Sequence, residues 1–126
     1  MVKDTILDIH SQLQKYFDGL YFCDVNQLQD VFHPDAVYIN ANDDPLLKMD
    51  MESYFAIVEK RVSPASKNEL RQDTIVSINL IHNQLAIVHV ECAIQPKYFY
   101  DALTLIYERQ QWKIITKVFH YETLSS

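Results

Sequence analysis

The sequence predicts an α+β fold: three helices from the N-terminal half packed on the concave face of a curved, mostly antiparallel sheet. Three observations lead there. Apolar residues in the first half recur at spacings of three and four, as helices require, whereas the second half carries β-rich runs separated by short polar turns. The runs Phe99 to Tyr107 and Trp112 to Phe119 are apolar on both faces, so the sheet wants cover on both sides. One acidic residue, Asp101, sits among Phe99, Leu103 and Leu105 on a strand surface that would otherwise be core, which points to a pocket.

Each element has its own local reason. Ile6, Ile9, Leu13, Tyr16, Phe17 and Leu20 form one stripe of a helix over Val2 to Tyr21, with Asp4 in the first turn, where negative charge suits the helix dipole. Gly19 weakens that helix slightly and lets another backbone come close. Asp24 caps a second helix holding Leu28, Val31 and Phe32, which stops before Pro34 because the residue preceding a proline avoids helical angles. A strand over Ala36 to Asn40, a turn over Asn42 to Pro45 and a brief returning strand over Leu46 to Met49 follow. Asp50 caps a third helix with Met51, Tyr54, Phe55 and Val58 inward, and Val62 to Lys67 is a loop. Strands over Glu69 to Ile81 and Leu85 to Gln95 flank a two-residue turn at His82-Asn83; Pro96-Lys97 turns the chain into a last hairpin that reverses at Arg109-Gln110.

A chain of 126 residues reads as one domain over 1–126 and buries about two thirds of its unfolded surface. Gly19 is the single glycine, which excludes glycine-rich phosphate loops and the dinucleotide fingerprint. The net charge is −6 and the longest basic run is Lys60-Arg61, so nucleic acid is not an expected partner. Cys23 and Cys92 lie far apart and read as small buried residues. His10, His33, His82, His89 and His120 have no metal-type spacing, and no nucleophilic triad is present, so neither metal nor cofactor is expected. No signal region opens the chain and no apolar run approaches the roughly 20 residues that span a bilayer, giving a cytoplasmic protein without membrane contact as the expectation.

The turns imply a register. Leu80 faces Leu85, Ile78 faces Ile87, Val76 faces His89, Tyr107 faces Trp112, Leu105 faces Ile114 and Asp101 faces Val118; the bend at Pro96 then brings Glu91 opposite Asp101. A slip of one residue would exchange the two faces of a strand. With this register one surface is apolar at one end and polar at the other, where Thr74, His89, Glu91, Phe99, Asp101, Thr116 and His120 form a pocket mouth. The opposite surface, with Val88, Val90, Cys92, Tyr100, Ile115 and Phe119, has no helices left to cover it and calls for a homodimer through the outer sheet face. Lys117 falls on that outer side.

Three stretches carry a family resemblance: Tyr16-Phe17-Asp18-Gly19-Leu20, Phe32-His33-Pro34-Asp35-Ala36, and Asp101-x-Leu103-x-Leu105 followed by Trp112-x-Ile114 and Lys117. Together they resemble the nuclear transport factor 2-like superfamily of cone-shaped domains, with the group labelled putative lumazine-binding, and its SnoaL-like polyketide cyclase relatives, as the best match. The resemblance implies a cone-shaped sheet and leaves the chemistry open. Its members include ketosteroid isomerases, dehydratases, epoxide hydrolases and cyclases alongside domains that only bind. The glycine usual before the tryptophan is replaced by Gln110-Gln111.

Candidate chemistry centres on Asp101 and Glu91. Two carboxyls forced together share their protons unevenly, which suits one for acid-base work, and His89 lies close enough in sequence to orient that proton. Tyr16 paired with Asp101 is what the resemblance to the isomerases implies for an oxyanion site. Leu20, Phe32, Tyr38, Tyr54, Phe99 and His120 complete the expected pocket, and His33 reads as structural, bonding backbone where the helix ends. The leading expectation is a binding protein for a small apolar or aromatic ligand. The alternatives are a cofactor-independent isomerase, dehydratase or cyclase, and a non-catalytic dimeric interaction module.

Overall fold

The computed structural model describes residues 4–124. Helix α1 spans Thr5–Phe22, α2 spans Val25–Val31, β1 Phe32–Asn40, β2 Leu47–Asp50, α3 Met51–Lys60, β3 Gln72–His82, β4 Leu85–Ile94, β5 Lys97–Glu108 and β6 Gln111–Thr123, with a short 3₁₀ turn at Ala65–Lys67. The strands form one curved sheet in the order β2-β1-β6-β5-β4-β3, antiparallel except where β1 runs parallel to β6. The helices cover one face, and the core lies between them and the sheet.

The helix signals act as their residue types dictate. Asp24 accepts from the backbone N–H groups of Asn26 and Gln27 at the start of α2, and Asp50 from that of Ser53 at the start of α3. The α1 stripe runs along the four-residue ridge Thr5, Ile9, Leu13, so Thr5 is buried and Ile6, expected inward, is exposed. Gly19 is where α2 comes close: a β-carbon there would meet Leu28 Cδ2 at 2.6 Å. Phe32, expected on the second helix, is instead the first residue of β1, and β1 continues through Pro34. Arg71 ties α1 to the sheet edge, bonding Asp18 at 2.6 Å and Asp73 at 2.7 Å, while Gln12 donates to the carbonyl of Trp112 on β6.

Strand register is where the structure departs most from expectation. Tyr107 pairs with Trp112 and Leu105 with Ile114 as the hairpin turn requires. A bulge then follows: Thr104 pairs with Thr116, leaving Ile115 as the extra residue, and Asp101 faces Phe119 rather than Val118. One extra residue inverts the rest of β6, so Lys117 and Phe119 turn inward while Thr116, Val118 and His120 turn outward. At the other hairpin the turn is Asn83-Gln84, with His82 opposite Leu85, and two bulges on β3 shift the pairing. Asp101 lies opposite Val90, one residue from the expected Glu91. The buried face of β4 is therefore Ala86, Val88, Val90 and Cys92. Val88, Val90, Cys92 and Phe119, assigned by alternation to a dimer surface, belong to the core.

Candidate functional site

The site forms where the inverted half of β6 meets β5 under α1 and α3. Asp101 on β5 is 1% exposed and Tyr16 on α1 is fully buried. The Tyr16 hydroxyl donates to Asp101 Oδ2 at 2.6 Å, while Oδ1 is buried without a hydrogen-bond partner among the described residues. The Tyr54 hydroxyl on α3 is likewise buried and unpartnered. Tyr38 on β1 stacks on Tyr54 with ring centroids 4.6 Å apart, and Phe32 meets Tyr16 and Tyr54 edge-on as part of the core beneath them.

Lys117 completes the cluster. It is 5% exposed, and its Nζ sits 5.1 Å from the centre of the Tyr16 ring, 5.5 Å from Tyr38, 5.7 Å from Tyr54 and 5.2 Å from Phe119. Four ring faces around one ammonium supply a cation–π environment that is strongest when dry. Burial pulls this ammonium toward neutrality, but the Tyr54 and Asp101 oxygens, with Tyr38 and Cys92, outweigh it and hold the Lys117 pKa above the ordinary lysine value. Burial, and secondarily Asp101, raises the Tyr16 pKa well above that of a free phenol. Tyr16 is thus a neutral donor at physiological pH. The Cys92 thiol, buried nearby, is pushed up to about 12 by desolvation and then by Asp101, so it is not a thiolate nucleophile.

Part of this cluster borders a cavity of about 380 Å³, with Tyr16 and Tyr54 behind its lining. Leu20, Val62, Ile94 and Phe99 give it apolar walls, Asp101, Lys117 and Tyr38 line it, and Arg61, Lys67 and Lys97 contribute cations. The volume is within the range of roughly 300–1,000 Å³ typical of small-molecule sites.

The structure thus gathers Asp101, Tyr16, Leu20, Tyr38, Tyr54 and Phe99 in or beside one cavity, with Phe32 in the core behind it. It separates the remaining expected site residues from them. Glu91, His89 and His120 point to the outer face, because β4 is one residue out of the expected register and β6 is inverted by its bulge. There His89 Nε2 lies 2.8 Å from Glu91 Oε2, and the Tyr98 hydroxyl donates to Glu91 Oε1 at 2.9 Å. The pairing of Glu91 with Asp101 is overturned, and with it any shared proton. Lys117, assigned outward, is the correction in the other direction. A signal for it existed: the large apolar residues of β6 change phase between Trp112, Ile114 and Phe119, Tyr121, which an uninterrupted strand cannot do. Arg61 and Lys97 carried no sequence signal, since a cation beside a loop or turn is ordinary.

His33 has the structural role its position suggested: Nδ1 accepts from the Asp35 backbone N–H at 3.0 Å and Nε2 meets Glu108 at 2.9 Å. Among the described residues no three His, Cys, Asp or Glu side chains gather as a metal ion would need. No helix there is long and apolar enough to cross a membrane.

Comparison with known proteins agrees with the architecture. The family model described as "Putative lumazine-binding" matches residues 4–120. An NTF-2 like protein of unknown function from Silicibacter pomeroyi is 20% identical, with 97% of this chain and 99% of that chain covered and a TM-score of 0.84. A cystatin-like fold protein from Burkholderia xenovorans is 15% identical over 97% of this chain and 95% of that one, TM-score 0.73. A ketosteroid isomerase-like protein from Erwinia carotovora atroseptica is 10% identical over 93% of this chain and 95% of that one, also with a TM-score of 0.73. No curated protein matches the sequence. At these identities the solved structures speak for the fold alone. The sequence match over nearly the whole chain speaks for descent, and the chain, with an NTF2-like fold, belongs to the family described as putative lumazine-binding.

Proposed function

We propose that this protein binds a small organic molecule in the cavity between its helices and the curved sheet, with Asp101 as the polar anchor. The observation that carries this reading is the Asp101 carboxyl: Tyr16 occupies one oxygen, and the other is buried without a partner at an apolar-walled cavity. Leaving a buried acceptor unmade costs about 1–3 kcal/mol, so such a group calls for an explanation, and a ligand donor reaching Oδ1 supplies one. Backbone does not tie this carboxyl down, as it would a purely structural acid.

A thermal-shift and calorimetric screen of aromatic and alicyclic metabolites tests the reading. Ligands are expected to raise the wild-type melting temperature and to bind Asp101→Asn at least about tenfold more weakly, a loss of about 1.4 kcal/mol. Equal affinity for both proteins, or no response of the wild type across the screen, would sink it.

The same free oxygen supports a second reading, a cofactor-independent isomerase or lyase. Asp101 would then carry the proton, and Lys117 rather than Tyr16 would face the developing oxyanion, since the single Tyr16 proton is already engaged by Asp101. Glu91 and His89 have no part in it. Solvent deuterium entering the carbon beside a bound ketone in the wild type, and not in Asp101→Asn, distinguishes turnover from binding.

A further inference from the structure

We infer that the molecule taken by this cavity is an organic acid: a carboxylate on an apolar or aromatic body that also carries one hydroxyl or N–H donor. This rests on the binding reading above and specifies the chemistry of the same site. The chain as a whole is acidic, at −6, yet the cavity is lined by four cations, Arg61, Lys67, Lys97 and Lys117, against the single carboxyl of Asp101. One of those cations is in an ion pair and a second lies over a single ring. Lys67 pairs with Glu69 at 3.0 Å, and Lys97 lies 4.4 Å from the centre of the Tyr121 ring. Arg61 and Lys117 form no ion pair among the described residues.

Lys117 is the informative one. A buried ammonium has three N–H donors and is ordinarily satisfied by carboxylate or carbonyl oxygens. Here its neighbours are four aromatic rings, which stabilise the charge but accept no conventional hydrogen bond. Among the described residues no hydrogen bond engages its donors, which are left for whatever occupies the cavity. Asp101 is near enough to favour the charged ammonium but forms no ion pair with it among the described residues, and Asp101 Oδ2 is committed to Tyr16. An anion at Lys117 with Arg61 at the mouth satisfies both cations, and a donor on the same molecule satisfies Asp101 Oδ1. Leu20, Val62 and Phe99 would then cover the apolar body. A neutral ligand brings no counter-charge to the excess of cations, and a cationic one meets like charge.

Two matched sets of probes test this by isothermal titration: 4-hydroxyphenylacetate, 4-hydroxyphenylacetamide and tyramine; and indole-3-acetate, indole-3-acetamide and tryptamine. The acids are expected to bind at least about tenfold more tightly than their amides, and the amines more weakly still. Lys117→Met should abolish the preference for acid over amide, and Arg61→Met should narrow it. Arg61 is exposed, so its variant keeps the test alive if Lys117→Met proves unable to fold, as judged by circular dichroism. Amides or amines binding as tightly as acids would overturn the acid assignment while leaving the cavity a binding site. A preference unchanged in both variants would overturn it too. If none of the six compounds binds while the wider screen finds a ligand that carries no carboxylate, the acid assignment falls and the binding reading stands; silence in both overturns the two together.

Discussion

Tyr16 is the residue whose removal isolates the Asp101 carboxyl. Tyr16→Phe deletes the donor to Oδ2 and leaves both oxygens buried without partners. We expect a loss of about 1–3 kcal/mol in urea unfolding, more than a surface Tyr→Phe change would cost. Cys92 gives a pH signature. Its thiol is raised from 9.0 to about 12 in the fold, so the folded state keeps a proton that the unfolded chain releases above pH 9. The stabilisation is complete below pH 9 and is lost as pH rises toward 12, with a slope approaching about 1.4 kcal/mol per pH unit for one thiol. Urea midpoints measured from pH 8 to 10 should fall in the wild type and fall less in Cys92→Ala; equal slopes would count against it. At this scale Asp101 was legible, because a lone acid on an apolar strand face stands out in composition. Lys117 was not legible from its neighbours, since a lysine flanked by Thr116 and Val118 looks like an ordinary solvent-facing residue; only the change of phase along the whole strand signalled it.

Elements were legible to the extent that their periodicity ran unbroken. The three helices could be placed from stripes and from the caps Asp24 and Asp50, both of which bond as capping residues should. The β5–β6 turn was legible too: Arg109 and Gln110 take φ of 53° and 66°, the left-handed conformation of a two-residue hairpin turn, without the usual glycine. The bulges broke the reading. On β4 both faces carry aliphatic residues, so alternation could not choose between them, and His89 and Glu91 were read as pocket chemistry rather than as the solvent-side pattern they are. Gly19 makes a prediction at this scale. Alanine favours helix by about 1 kcal/mol over glycine, but its β-carbon would press on the fully buried Leu28 side chain at the α1–α2 junction. Overpacking costs about 1–3 kcal/mol, so Gly19→Ala should lower stability, and pairing it with Leu28→Ala should restore part of the loss. A stabilised Gly19→Ala would show that the junction yields freely.

For the whole molecule, the corrected register changes the case for self-association. With Val88, Val90, Cys92 and Phe119 in the core, the outer sheet face retains a smaller apolar set, chiefly Ile87, Ile106 and Val118 beside Tyr100 and Ala102. A homodimer through this face remains our proposal, now resting on those residues. Sedimentation at micromolar concentration should give twice the 14.8 kDa chain mass, and Ile87→Glu with Val118→Glu should give the monomer. A wild-type monomer would remove the proposal.

The β6 bulge reaches further than geometry. Were Ile115 paired in register instead of bulged, Lys117 and Phe119 would face outward and Thr116 and Val118 would meet the helices, leaving a cavity without Lys117. The ligand preference proposed above is therefore written in strand register as well as in residue identity. If the cavity takes an acid as proposed, a relative that lost the bulge at constant chain length would exchange it for a neutral one with every side chain on the strand unchanged.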